Sequence, residues 1–164
     1  MSGLRIFVTG ATGFLGRHLV NRLLALGHAP TLAVRDQAAC PPEWRSDARL
    51  KIVATGPLEG ASGLDVSLAD HHAVIHTAGL AHVAPADPAA AEAAFMRANA
   101  EATEQLARAA RYAGISRFVH VSSLSAITPN AAEAVVDDKT SGWRPETAYG
   151  RSKLAAEQAL EAER

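Results

Sequence analysis

Cysteine is almost missing from this sequence: Cys40 stands alone among 164 residues, so no internal disulfide can form. A reducing compartment, the cytoplasm, is the expected location, and Cys40 reads as a packing or surface thiol. An excess of either charge is also lacking. Sixteen basic and 17 acidic side chains give a formal net charge of −1, which leaves no basic footprint for a nucleic acid. No uninterrupted apolar run is long enough to span a bilayer, and the N-terminus has no secretory signal pattern. No membrane partner is expected. The seven histidines are scattered; His71, His72 and His76 come nearest to a cluster, without a cysteine or carboxylate at ligand spacing, so no metal site is expected. Internal repeats and hairpin turn signals are absent as well.

What is present suits one globular domain. Hydrophobic residues make up 48% and charged residues 20%, and the length suffices for one good core but not for two domains of ordinary size. Residues 1–164 are read as a single unit.

The most informative stretch is Thr9-Gly10-Ala11-Thr12-Gly13-Phe14-Leu15-Gly16. The apolar run Leu4–Val8 before it reads as a strand. The apolar spacing from Arg17 to Leu26 after it reads as a helix, with Gly27 as its stop. A strand, a glycine turn and a helix form the context of a phosphate-binding fingerprint. Gly10 permits a tight turn, Gly13 leaves room for a pyrophosphate, and Gly16 lets the helix pack against the sheet. First-turn N–H groups, including those around Phe14 and Leu15, then face the phosphate charge.

Four more strands are expected: Pro30–Arg35, Leu50–Ala54, Ala73–His76 and Arg117–Val121. A loop with one short helical turn covers Gln37–Asp47, and a short helix covers Leu64–Asp70. Asp87 and Pro88 open a long helix that Gly114 stops. Asn99 falls on its apolar face, where it needs hydrogen-bond partners. Leu124–Arg144 reads as irregular, and a last helix begins at about Pro145 or Glu146. Strands alternating with helices predict an α/β fold, a doubly wound parallel sheet. Ligands of such sheets sit beyond the carboxyl ends of the strands, where Gly10–Gly16, Arg35, Ala78-Gly79 and Ser122-Ser123 fall.

Tyr149-Gly150-Arg151-Ser152-Lys153 puts a phenol and an ammonium one helical turn apart. The cation lowers the phenol's pKa from its ordinary ~10, so the phenol can take a hydroxyl proton while a nicotinamide takes the hydride. Ser123 could hold the same substrate oxygen.

Together these motifs resemble the N-terminal part of the extended short-chain dehydrogenases/reductases, which include nucleotide-sugar epimerases, dehydratases and 4-ketoreductases. The residues that carry the likeness are Thr9–Gly16, Val74–Gly79, Asn99 with Thr103, Arg117–Ser123 and Tyr149–Lys153, in order along nearly the whole chain. The resemblance implies a Rossmann-type fold, Ser123, Tyr149 and Lys153 as catalytic residues, and Lys153 also on the nicotinamide ribose. It places Gly10, Thr12, Gly13, Phe14, Leu15, Gly16, Arg35, Asp36, Leu58, Thr77, Ala78, Gly79, Asn99 and Val121 around the cofactor. The substrate implied is a nucleotide sugar or a similar alcohol or ketone, and a homodimer is kept open as an assembly.

Three departures qualify the likeness. Val34-Arg35 stands where NAD-using epimerases carry an aspartate, which favours NADP over NAD, although Asp36 could still reach a ribose. After the third strand Gly56-Pro57-Leu58 offers only backbone where an acidic residue is usual. The sequence given stops at Arg164, directly after the Tyr–Lys helix, where the family continues into a smaller substrate domain. Either a fragment of a longer protein or a chain that has lost the remainder is therefore expected, with apolar surface exposed at one sheet edge. The alternative is a dinucleotide-binding module without turnover.

Overall fold

The computed structural model describes residues 3–81, 87–127 and 144–164. Five strands lie in one parallel sheet: β1 (Arg5–Thr9), β2 (Ala29–Val34), β3 (Lys51–Ala54), β4 (Ala73–His76) and β5 (Phe118–His120). Their spatial order is β3-β2-β1-β4-β5. The chain builds outward from β1 in one direction, then crosses to its other side for β4 and β5. This reversal opens a crevice between the carboxyl ends of β1 and β4, the usual ligand position in such sheets.

Alternation along β1 assigns side chains to the two layers. Ile6 and Val8 pack with Val20 and Leu23 of α1 (Phe14–Ala25), with Leu32 and Val34, and with Trp44 of α2 (Pro42–Ser46). Phe7 faces the opposite layer, with Leu68 of α3 (Leu64–Leu68), Val74, Leu106 and Ala110. Each fully buried large side chain here contributes roughly 1.5–3 kcal/mol. Cys40 is part of the first cluster, and burial pushes its thiol pKa up. The Gln37–Asp47 loop is more ordered than its prolines suggest: a 3-10 turn (Gln37–Ala39) and α2 both form because Cys40 and Trp44 are drawn into the core.

The long helix opens as expected. Asp87 accepts from the N–H groups of Ala89 and Ala90, and Pro88 fills the first position of α4 (Pro88–Phe95). It is not uninterrupted, however. Met96–Glu101 winds as a π segment before α5 (Ala102–Tyr112) resumes the regular turn. The last helix, α6, runs Ala148–Ala162, and Thr147 caps it by accepting from Gly150 N. It therefore starts two to three residues later than Pro145 or Glu146, because Thr147 supplies the acceptor that those positions lack. Within Leu124–Arg144 a 3-10 turn (Leu124–Ala126) follows β5; residues 128–143 lie outside the described residues. No helix among the described residues is long and apolar enough to cross a membrane.

Strand β5 pairs with β4 alone among the described strands. Val119 is 52% exposed and Val121 38%, so apolar surface does lie open at this edge.

Candidate cofactor and catalytic site

The glycine turn is built by close packing. Gly10 has φ +72°, a conformation that strains any side chain, and a Cβ there would stand 2.5 Å from Ala78 N. A Cβ on Gly16 would stand 2.1 Å from the Gly10 carbonyl oxygen. The turn is thus folded tightly against both α1 and the segment after β4. Gly13 is the N-cap of α1 and brings no side-chain acceptor, so the first-turn N–H groups stay open to an anion.

Beyond this turn lies a cavity of about 470 Å³ that extends over the ends of β1, β2, β3 and β4. Of the residues expected around a cofactor, Gly10, Thr12, Gly13, Arg35, Leu58, Thr77, Ala78 and Gly79 line it. Others stand elsewhere. Phe14 and Leu15 are 86% and 49% exposed, the Phe14 ring packs edge-on to His18, and neither residue lines the cavity. Gly16 sits behind the turn. Asp36 does not line the cavity; its carboxylate accepts from Ala38 N and caps the 3-10 turn. The segment after β3 offers more than backbone, because Thr55 and Glu59 also line the cavity. Glu59 follows Gly56-Pro57-Leu58 directly, and the turn through those residues brings it round.

Asn99 lies in the π segment and is buried. Its Oδ1 accepts from Leu80 N at 2.7 Å, and its Nδ2 donates to the Leu80 carbonyl (3.0 Å) and to Ser152 Oγ (2.9 Å). Ser152 in turn donates to the Tyr149 carbonyl at 2.7 Å. One amide therefore ties the loop after Gly79 to the first turns of α6. Widened π turns of this kind recur where a helix must aim a polar side chain.

A second buried chain, anchored on His76, was not foreseen from the sequence. Ala78 N donates to Thr9 Oγ1 (3.4 Å), which pairs with His76 Nδ1 at 2.6 Å. His76 Nε2 pairs with Thr103 Oγ1 at 3.0 Å, and Thr103 donates to the Asn99 carbonyl at 2.6 Å. Donor and acceptor roles close only if His76 is neutral with its proton on Nε2. Burial, with the nearby His120 and Lys153, pushes the His76 pKa down to about 3. The signal available in the sequence was Thr9, His76 and Thr103, polar residues in apolar runs.

The Tyr–Lys helix docks at the ends of β4 and β5. Lys153 is buried; its Nζ donates to the Val121 carbonyl at 2.6 Å and to His120 Nε2 at 3.2 Å. Burial lowers its pKa to about 8, partly countered by Glu157. Ser123 follows Val121 by two residues, and its Oγ accepts from Ser125 N at 3.2 Å. A Cβ on Gly150 would stand 2.2 Å from the Ser125 carbonyl oxygen, so α6 rests directly on the turn after Ser123. Tyr149 packs edge-on to Phe95, with ring centroids 5.8 Å apart. Glu92 and Arg151 form a paired ion bridge, both contacts at 2.8 Å, which joins α4 to α6. Among the described residues no three His, Cys, Asp or Glu side chains gather as metal ligands.

Known proteins are similar to this chain in sequence and fold. The chain is 36% identical over 157 residues to a ceramide reductase of Caulobacter vibrioides, covering 96% of the chain and 42% of that protein. It is 32% identical over 164 residues to a UDP-glucose 4-epimerase of Rhizobium meliloti, covering 98% of the chain and 47% of that protein. The solved structure of MoeE5 in complex with UDP-glucose and NAD superposes with a TM-score of 0.80 at 31% identity, over 97% of this chain and 48% of the other. The chain thus spans less than half the length of these relatives. Residues 6–164 match the NAD dependent epimerase/dehydratase family, and the chain belongs to that family.

Proposed function

We propose that the chain binds a nicotinamide dinucleotide in the cavity beyond the glycine turn, with its nicotinamide end toward Lys153, and supplies the proton chemistry for oxidation or reduction at a secondary alcohol or ketone. The substrate is a nucleotide sugar or a similar compound, processed by epimerisation, dehydration or ketone reduction. The single observation that carries the proposal is the docking of buried Lys153 on the Val121 carbonyl, at the end of the sheet that also holds the glycine turn. Two features support it: the glycine turn and Arg35 line one cavity, and the N-terminus of α1 at that turn is uncapped.

When bound, the cofactor would supply the hydride chemistry: accepting and returning hydride for epimerisation or dehydration, or, in its reduced form, donating hydride for ketone reduction. The chain's own residues hold and move the proton. Tyr149 exchanges it with the substrate hydroxyl. The Lys153 ammonium, one helical turn from Tyr149, would hydrogen-bond the nicotinamide ribose, and Ser123 would hydrogen-bond the substrate oxygen. Backbone groups from Gly10 to Gly16 hold the pyrophosphate.

NADP is the preferred form in this reading. Arg35 lines the cavity at the end of β2, whereas the Asp36 carboxylate is engaged in capping. A charge-assisted contact to a 2′-phosphate at this position contributes about 1.5–3 kcal/mol, roughly one to two decades in affinity.

Fluorescence titration with NADPH and NADH, followed by spectrophotometric assays on UDP-sugars, tests both parts. Gly13→Val should reduce cofactor affinity at least tenfold, and Arg35→Ala should remove the NADP preference. Tyr149→Phe should abolish any turnover. Undiminished affinity in folded Gly13→Val refutes the cofactor site, and equal affinities in the unmodified protein refute the Arg35 assignment. Binding without conversion of any substrate would leave a dinucleotide-binding module.

A further inference from the structure

We propose that His120 is a positioning residue for Lys153: its neutral Nε2 accepts from the ammonium and, with the Val121 carbonyl, fixes Nζ against the end of β5. The proposal rests on the catalytic reading of Lys153 given above.

Geometry carries it. An ammonium only donates, so the His120 nitrogen 3.2 Å from Nζ must present a lone pair. The proton of the neutral ring is then on Nδ1. That atom is buried and has no hydrogen-bond partner among the described residues. His76 offers the contrast, since both of its nitrogens are engaged by threonine hydroxyls. A histidine kept for structural bonding would look like His76. In His120 the Lys153 contact accounts for the side-chain hydrogen bonding seen among the described residues.

The surroundings keep His120 in the accepting form. The ionisable groups about Lys153 are His120 on β5, His76 on β4, and Tyr149 and Glu157 on α6. The His76 ring stacks on His120, with centroids 5.3 Å apart and planes 26° apart. Asn99 and Thr103 face this region from the long helix without charge. Protonating His120 would set a second cation beside the ammonium in a half-buried site, and burial together with Lys153 pushes the His120 pKa down to about 4. The cluster therefore holds one positive charge, on Lys153, through the neutral range.

The consequence is electrostatic. An acceptor beside a buried ammonium favours the charged form. Removing it should destabilise the Lys153 cation, while an uncharged acceptor of similar reach should restore it.

The sequence contains three lysines, Lys51, Lys139 and Lys153, so NMR titration of lysine labelled with carbon-13 at Cε is readily assigned by losing one signal in Lys153→Arg. We expect the Lys153 midpoint to fall by about one pH unit in His120→Phe and to return toward the unmodified value in His120→Gln. An unchanged midpoint in folded His120→Phe overturns the proposal, and so does a Gln variant that titrates like the Phe variant. Should His120→Phe fail to fold, long-range proton–nitrogen spectra of the unmodified protein decide instead. The Nδ1–H tautomer of His120 at neutral pH supports the proposal, and the Nε2–H tautomer refutes it. NADPH titration on the same samples separates the two levels: absence of binding refutes the proposed function, whereas the lysine midpoints report on His120 in either case.

Discussion

Acid should unfold this protein through His76. The imidazole is fully buried and neutral, joining Thr9 of β1 to Thr103 of α5. Its pKa drops from 6.5 to about 3 on folding, so the unfolded chain binds a proton that the folded chain refuses. Stability from this group is complete above pH 6.5 and is lost as pH falls toward 3. The loss from His76 alone is about 2 kcal/mol between pH 8 and pH 5, and about 4 kcal/mol by pH 3. Against a typical unfolding free energy of 5–15 kcal/mol, the first figure is already large. Denaturant unfolding followed by circular dichroism at pH 7.5 and pH 5.0 measures it. His76→Gln is the matched control, because its amide retains a donor and an acceptor for the threonines but does not titrate. Acid-sensitive groups away from His76, the Glu92–Arg151 pair among them, are common to both proteins and cancel. The variant should lose about 2 kcal/mol less than the unmodified chain over that pH step. Equal losses in the two proteins would refute the reasoning.

Two substitutions probe how α6 is held. Gly150→Ala places a methyl group against the Ser125 carbonyl, 2.2 Å from its oxygen, and backbone must shift; a cost of about 1–3 kcal/mol is expected, read as a lower melting temperature, and a melt unchanged from the unmodified protein would contradict the packing described. Asn99→Leu keeps the volume but strands Leu80 N and the Leu80 carbonyl and removes the donor to Ser152 Oγ; a loss of about 2–4 kcal/mol is expected, and amide exchange at Leu80 should accelerate, an effect that a purely local packing defect would not give.

Much of the fold was legible because glycine, proline and apolar spacing act locally. Gly27, Asp87, Pro88 and Gly114 end or begin helices for reasons contained in one turn of chain, and the five apolar runs had few alternatives to strands. Half of the candidate site was legible in the same way, since the glycine turn and the strand ends carry their own chemistry. What escaped depends on contacts across long sequence separations. Glu59 enters the cavity only because the chain turns after Thr55. Asp36 is diverted to a cap by the helical turn that follows it. The π segment at Met96–Glu101 leaves no mark in an alanine-rich run, and its widened turn makes sense only with Leu80 and Ser152 in place around Asn99. His76 looked like one of several scattered histidines. Thr9 and Thr103, 67 and 27 residues away, turn it into the hinge pin between the glycine turn and the helix that carries Asn99. Sequence patterns thus reveal the residues that can do chemistry, whereas the residues that aim them are set by partners that only the folded chain brings within reach. For this chain Asn99, His76, Gly150 and Ser152 belong to the aiming set beside His120, and each of the four acts through a contact on the backbone or on a neighbour of a candidate catalytic side chain. Losses at these positions should therefore appear first as altered positioning of α6 and the glycine turn.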